Sequence, residues 1–257
     1  MNRIITTLLG LLLIQLIVVK KTYSNDGEVK DCFESLNRVT FALNMGLDKV
    51  IFKPIAKGYR KLPSPVRTGT SNALNNLSNL ITIPNNILQG DFGSAANNSA
   101  RFLINTTVGI VGIFDPANSF GFEKREKEDF GQSLGVMGVG EGCYLVLPVL
   151  GPSTVRDTVG SLIAMNGGDM WHNITVRDDE EYVKEFKESD YWVSRATAGV
   201  DFRAKNLEAF DAMEKNSIDL YATVRSLYLQ DRKKKINNTN SKTEAMEDGD
   251  WDTLENQ

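Results

Sequence analysis

Apolar positions recur along this chain mostly at three- and four-residue intervals, the period of a helix face. Phe33, Leu36, Thr40, Phe41, Met45 and Leu47 predict a first helix, and Lys53-Pro54 marks its boundary. A short helix is expected over 55–62, stopped by Pro63 and Pro65. A third helix is predicted over 66–83, with Val66, Ala73, Leu74, Leu77, Leu80 and Ile81 as its apolar stripe and Pro84 as its end. A short piece carrying Ile87 and Leu88 then runs to Gly90. Residues 94–110 read as another helix, capped by Ser94 and faced by Ala95, Ala100, Phe102, Leu103 and Thr106. Between 114 and 152 the glycines at 121, 131, 135, 138, 140, 142 and 151 oppose a regular helix, since each costs about 1 kcal/mol there. That stretch reads as an irregular loop or hairpin. Helical spacing returns over 155–165, until Gly167-Gly168. A long helix is expected from Tyr191 or Ala204 to Gln230, striped by Leu207, Phe210, Met213, Ser217, Tyr221, Val224 and Tyr228. Strand-type alternation is scarce, so the fold class is all-α, with one domain over 25–232.

The ends read differently. Arg3, an apolar run over 4–19, Lys20-Lys21 and the triplet Thr22-Tyr23-Ser24 form the pattern of a secretory signal peptide over 1–24. The alternative is an uncleaved anchor, although the apolar run falls short of the roughly 20 residues a span requires. The apolar stretches 108–114 and 144–150 are too short to cross a bilayer; they can dip into one, line an apolar cavity, or fill a core. The charge-dense stretch 177–190 reads as a solvated helix face, and 233–257, which opens on a basic run and turns acidic, as a disordered tail.

A net charge of -4 offers no basic excess to neutralise phosphates, so nucleic acid is not an expected partner. A single histidine argues against metal and histidine-triad chemistry. Gly131-Gln132-Ser133-Leu134-Gly135 matches a hydrolase nucleophile elbow, and Asp169 and His172 follow in triad order. The elbow requires a buried strand before it, and 123–129 is seven charged residues in succession. No such strand can be built, and the chain is read as not an enzyme. Gly138-Val139-Gly140-Glu141-Gly142 lacks the spacing and the lysine of a phosphate loop, and reads as a hinge or tight turn.

Taken in order, the segments resemble the MlaA/VacJ family. Asp31-Cys32-Phe33-Glu34-Ser35-Leu36-Asn37-Arg38 is similar to the family's opening block. Lys53-Pro54-Ile55-Ala56-Lys57-Gly58-Tyr59-Arg60 and Asn85-Asn86-Ile87-Leu88-Gln89-Gly90 resemble later ones. The most recognisable stretch runs from Arg101-Phe102-Leu103-Ile104-Asn105-Thr106-Thr107-Val108-Gly109 through Phe114-Asp115-Pro116-Ala117 to Gly151-Pro152-Ser153-Thr154-Val155-Arg156-Asp157. The resemblance implies a ring of amphipathic helices lying in the outer membrane from its periplasmic side. It implies removal of mislocalised phospholipid from the outer leaflet and delivery to a periplasmic carrier protein, with a trimeric porin as partner. No cofactor is called for. The alternative is a porin-associated structural envelope protein that conducts no lipid.

Phe130, Gly138, Gly140, Gly142, Tyr144, Leu145, Leu147 and Pro148 are the candidates for the lipid path. The chain departs from the family in lacking a lipoprotein cysteine motif, and in carrying Cys32 and Cys143 where the family usually has proline. That shared replacement suggests a disulfide, which would contribute roughly 4 kcal/mol by closing a long loop; two free thiols are the alternative.

Overall fold

The computed structural model describes residues 29–177 and 186–237; the signal segment over 1–24 and most of the tail lie outside them, as do residues 178–185 of the charge-dense stretch. Helix α1 (Glu34–Leu47) passes through a π-turn at Asp48–Phe52 into α2 (Lys53–Arg60). Extended backbone at Pro63 starts α3 (Ser64–Leu88), which pairs with α4 (Phe92–Thr107). A tight turn leads to the short α5 (Pro116–Ser119) and then to α6 (Phe130–Val136). Strands β1 (Tyr144–Leu147) and β2 (Gly151–Thr154) form an antiparallel hairpin with Tyr144 opposite Thr154 and Leu147 opposite Gly151. Then come α7 (Val155–Ile163), a π-turn at Ala164–Gly168, the one-turn α8 (Met170–His172), α9 (Glu188–Lys205), α10 (Leu207–Asn216) and α11 (Leu220–Ile236). The architecture is all-α, with one two-stranded sheet among the described residues.

Five features differ from the sequence reading. Pro84 lies inside α3 and does not end it. Neighbouring side chains hold that turn: Asn85 Nδ2 donates to the Ile81 carbonyl at 2.8 Å, while Asn85 and Asn86 are buried and tied to Ser133 and Asn98. Tertiary anchoring overrides the lost backbone bond. The cap of α4 is Asp91, whose Oδ1 accepts from the Ser94 amide at 2.9 Å, so Ser94 is already helical. The glycine-rich stretch contains α6, started by Asp129 accepting from the Gln132 amide at 2.9 Å. The expected long helix is three: Asn206 leaves helical geometry, Ser217 is extended, and Asp219 caps α11 by accepting from the Ala222 amide at 3.1 Å. Helix α11 continues to Ile236, past the boundary read at 232.

The distribution of polarity is reversed from that of an ordinary globule. Among the described residues nine hydrophobic residues are buried, four of them alanine, against twenty-three polar or charged ones. The apolar core consists of two small clusters, Ala56-Ala204-Leu207 and Tyr144-Val146-Tyr221. Thirty-three large hydrophobic side chains are exposed. Cohesion therefore comes from polar contacts. Two asparagines of α1 illustrate this by serving as the missing partner of β1. Asn37 donates to the Tyr144 carbonyl at 3.0 Å and accepts from the Val146 amide at 2.9 Å. Asn44 donates to the Leu147 carbonyl at 2.9 Å and accepts from the Val149 amide at 2.7 Å. The strand edge is thereby satisfied without a third strand.

Candidate functional site

The eight residues nominated from the sequence lie along one continuous segment, from the start of α6 through β1 into the hairpin turn. Gly138 and Gly142 take left-handed backbone (φ +90° and +71°), which explains glycine at both, while Gly140 faces open space. Leu145 and Leu147 are half-buried and Pro148 is exposed. Tyr144 stands apart, fully buried with its ring edge-on to Tyr221 at 6.1 Å and Tyr228 at 6.3 Å between centroids. Burial, reinforced by the charge of Asp31, pushes its phenol up to about 12. Phe130 packs on Gly168, where an added Cβ would meet its ring at 2.5 Å. A disulfide joins Cys32 to Cys143, fixing the segment before α1 to the residue just before β1.

Behind this segment an ion cluster locks α6, α7 and α11. Arg232 donates to Asp129 at 2.6 and 2.9 Å and to Asp157 at 2.7 Å, and the Tyr228 hydroxyl donates to Asp157 at 2.5 Å. Burial pushes the Asp129 carboxyl up, but the Arg232 guanidinium and the Gln132 amides outweigh it and hold the group below the usual carboxylate range. The glycines of the hydrolase-like motif serve this packing: an added Cβ at Gly131 would lie 2.5 Å from Asp157 Oδ1, and one at Gly135 would lie 2.7 Å from Ile236. Ser133 is buried, donates to Asn85 Oδ1 at 2.6 Å and accepts from Gln89 at 3.2 Å. His172 meets the Tyr191 ring edge-on and Asp169 pairs with Arg195 at 2.5 Å, so the described residues do not assemble a triad.

Two exposed apolar tips carry the short hydrophobic stretches read from the sequence. In the first, Ile110 and Val111 adopt left-handed backbone (φ 53° and 56°), which β-branched residues rarely do. The turn is set by the end of α4, where the Val111 and Gly112 amides donate back to the carbonyls of Thr106 and Asn105 at 3.0 and 2.8 Å. The side chains are thereby turned outward, leaving Val111 70% exposed. In the second, Val149 (φ 67°) heads the hairpin turn beside Leu150, which is 77% exposed. Leu36, Val39 and Leu43 add an exposed apolar stripe on α1. No helix of the described residues is long and apolar enough to cross a membrane.

A half-open cavity of about 270 Å³, lined by polar and charged residues, lies between α3, α4 and the charged stretch. Its α3 wall is Asn72, Asn75, Asn76 and Asn79, spaced as one helix face, with Ser78 and Thr82; its α4 wall is Asn98, Arg101 and Asn105. Arg101 is held by Asp115 at 2.7 and 2.9 Å and donates to the Phe122 carbonyl. Burial acts against Asp115 as a carboxylate, yet Arg101 and Asn105 keep its pKa below the ordinary value. The seven-residue charged run is sorted by sign. Lys124, Arg125 and Lys127 line the cavity, while Glu128 turns to Gln89 at 2.9 Å and Asp129 to Arg232. Burial raises the Glu128 carboxyl despite that hydrogen bond. The apolar period of α3 is plain in the sequence; the asparagine stripe between its apolar positions has the same period and is the signal by which this wall could be found.

The comparisons with known proteins agree with this architecture. The family model described as MlaA lipoprotein matches residues 29–235. An uncharacterized protein of Rickettsia prowazekii is 34% identical over 200 residues, covering 77% of this chain and 75% of that one. The intermembrane phospholipid transport system lipoprotein MlaA of Escherichia coli is 33% identical over 205 residues, covering 78% and 76%. A solved structure described under "Structural basis for maintenance of bacterial outer membrane lipid asymmetry" superposes with a TM-score of 0.67 at 30% identity, covering 81% of this chain and all of that one. With the family pattern spanning nearly all the described residues and the same fold beneath it, the chain belongs to the MlaA family.

Proposed function

We propose that this protein sits in one leaflet of the outer membrane from the periplasmic side, removes mislocalised phospholipid from the outer leaflet and passes it to a periplasmic carrier, with a trimeric porin as its membrane partner. The observation that carries the reading is the reversed polarity: charged and amide groups inside, valine, isoleucine, leucine and phenylalanine outside. In water so much exposed apolar surface is an aggregation hazard; in a leaflet it is the favoured state. The tips at Val111 and Leu150 have the length to dip into half a bilayer. The roles named for the relatives point the same way. Lipid transfer breaks no bond, so the chain acts without a nucleophile or cofactor. The segment of Phe130, Gly138, Gly140, Gly142, Leu145, Leu147 and Pro148 forms the edge past which the acyl chains move, with Tyr144 as its buried support.

Deleting the gene tests this. The expected result is excess phospholipid in the outer leaflet and sensitivity to detergent, restored by the wild-type chain and by Ser133→Ala. Gly140→Trp, whose side chain enters open space, should fold yet restore neither. Changed porin levels with unchanged lipid distribution would instead establish a structural role and overturn the proposal.

A further inference from the structure

The cavity between α3 and α4 is unlike the other polar interiors of this protein. Where α6, α7 and α11 meet, charge is neutralised by charge. Here the exposed Lys124 and Arg125 form no salt bridge among the described residues: Asp115, the sole lining carboxylate, is hydrogen-bonded by Arg101 and feels Lys124 only at longer range, as Asp91 feels Arg125. The loop bearing the two cations is docked by its backbone: Asn97 donates to the Glu123 carbonyl at 2.8 Å and Arg101 to that of Phe122. The cationic side chains are thus left exposed at the mouth. Inside stand neutral amides. Asn75 and Asn79 make no side-chain hydrogen bond among the described residues, and Asn76 keeps its Oδ1 buried without a donor. A basic mouth on a chain of net charge -4 selects an anion against the general field. Amides beyond it supply both donors and acceptors without a fixed charge that would trap the ligand.

We propose that this cavity seats the phosphodiester head group of a glycerophospholipid. Lys124 and Arg125 draw the phosphate, and the amides of Asn75 and Asn79 hydrogen-bond the polar group beyond it. The proposal rests on the lipid-handling reading above and adds to it where the polar end of the lipid is held, apart from the apolar edge at the hairpin.

The test uses the full chain in neutral detergent with two fluorescent short-chain reporters, a phosphatidylglycerol and the diacylglycerol with the same tails. Wild type should bind both. Lys124→Ala/Arg125→Ala, altered at two exposed positions, should bind the phosphatidylglycerol about tenfold more weakly, about 1.4 kcal/mol for the pair. It should bind the diacylglycerol unchanged, and Lys124→Arg/Arg125→Lys should bind both as wild type does. Unlabelled dihexanoyl-phosphatidylglycerol should displace the first reporter where equimolar inorganic phosphate does not. A photoreactive residue at Asn79 should cross-link the phosphatidylglycerol. Equal phosphatidylglycerol binding by wild type and the alanine variant would overturn the seat alone. Displacement by inorganic phosphate as effective as that by the lipid would make it a free-phosphate site and overturn the head-group assignment. Binding of neither reporter to wild type would overturn both the seat and the lipid-handling reading.

Discussion

Two junctions of this protein are built from polar side chains and behave differently. Where α6, α7 and α11 meet, every main charge has a counter-charge at hydrogen-bond distance, and glycine at 131 lets the backbones close until no further atom fits. Where α3 and α4 meet, the facing side chains are mostly asparagine, and the two exposed cations at the opening, Lys124 and Arg125, form no salt bridge among the described residues. The first junction resembles a closed lock, the second an open groove. A polar interior thus closes into a lock when its charges are matched and leaves a groove open when they are not.

The largest expected effect that tests this contrast is at the lock. Arg232→Ala leaves the half-exposed Asp129 carboxylate without its cation and the buried Asp157 carboxylate with only Arg156 and Tyr228, and should destabilise the fold by about 2–3 kcal/mol in chemical denaturation. Gly131→Ala should approach that loss, since its Cβ would meet Asp157 and Arg232. A loss under 1 kcal/mol for both would mean the lock does not hold the fold. Next is pH. The Asp129 carboxyl is held below its ordinary value, so its contribution is complete above the unfolded pKa of about 3.9 and is lost as pH falls through the lower folded value. Wild-type stability should therefore decline only below about pH 4. In Arg232→Ala, the Asp129 carboxyl loses the partner that outweighs its burial, so stability should hold or rise as pH falls toward 4. Third, Lys124→Ala/Arg125→Ala should change stability by no more than about 0.5 kcal/mol, as surface substitutions do; a larger loss would make the groove a second lock. The last effect, opposite in sign to that at the lock, is at Glu128, whose raised pKa means a folded state that favours the proton. Its stabilising contribution exists below the unfolded pKa and is lost as pH rises through the folded value. Glu128→Gln should therefore gain up to about 1 kcal/mol at pH 7 and nothing near pH 4.

Much of the fold was legible from spacing alone. The three-to-four-residue periods locate α1 to α4 and α7, and the glycine-rich stretch announces the hairpin. The family blocks name the relatives. What spacing could not show was long-range. Pro84 fails to end α3 because Asn85 and Asn86 are anchored by residues on other helices, Ser133 and Asn98. The 207–228 stripe is continuous as a pattern, yet Ser217 and Asp219 prefer local capping to helix and divide it. The site was half-visible: the hairpin glycines stand out as backbone exceptions, but Tyr144 reads as an edge residue and is a core one. The charged run 123–129 also gave no hint of its sorting. Its cations and acids separate only because the loop turns between α4 and α6, and a linear string carries no sign of which way each side chain faces.

The account depends on the apolar outside lying in lipid while the amide-lined inside stays polar. Depth-resolved fluorescence quenching in bilayers measures this directly, with an environment-sensitive probe placed at Val111, at Leu150 and at Asn79 of the full chain. The account predicts strong quenching by bromines on the acyl chains at Val111 and Leu150, and a polar, weakly quenched environment at Asn79. Water-exposed probes at both tips in the presence of bilayers would contradict it.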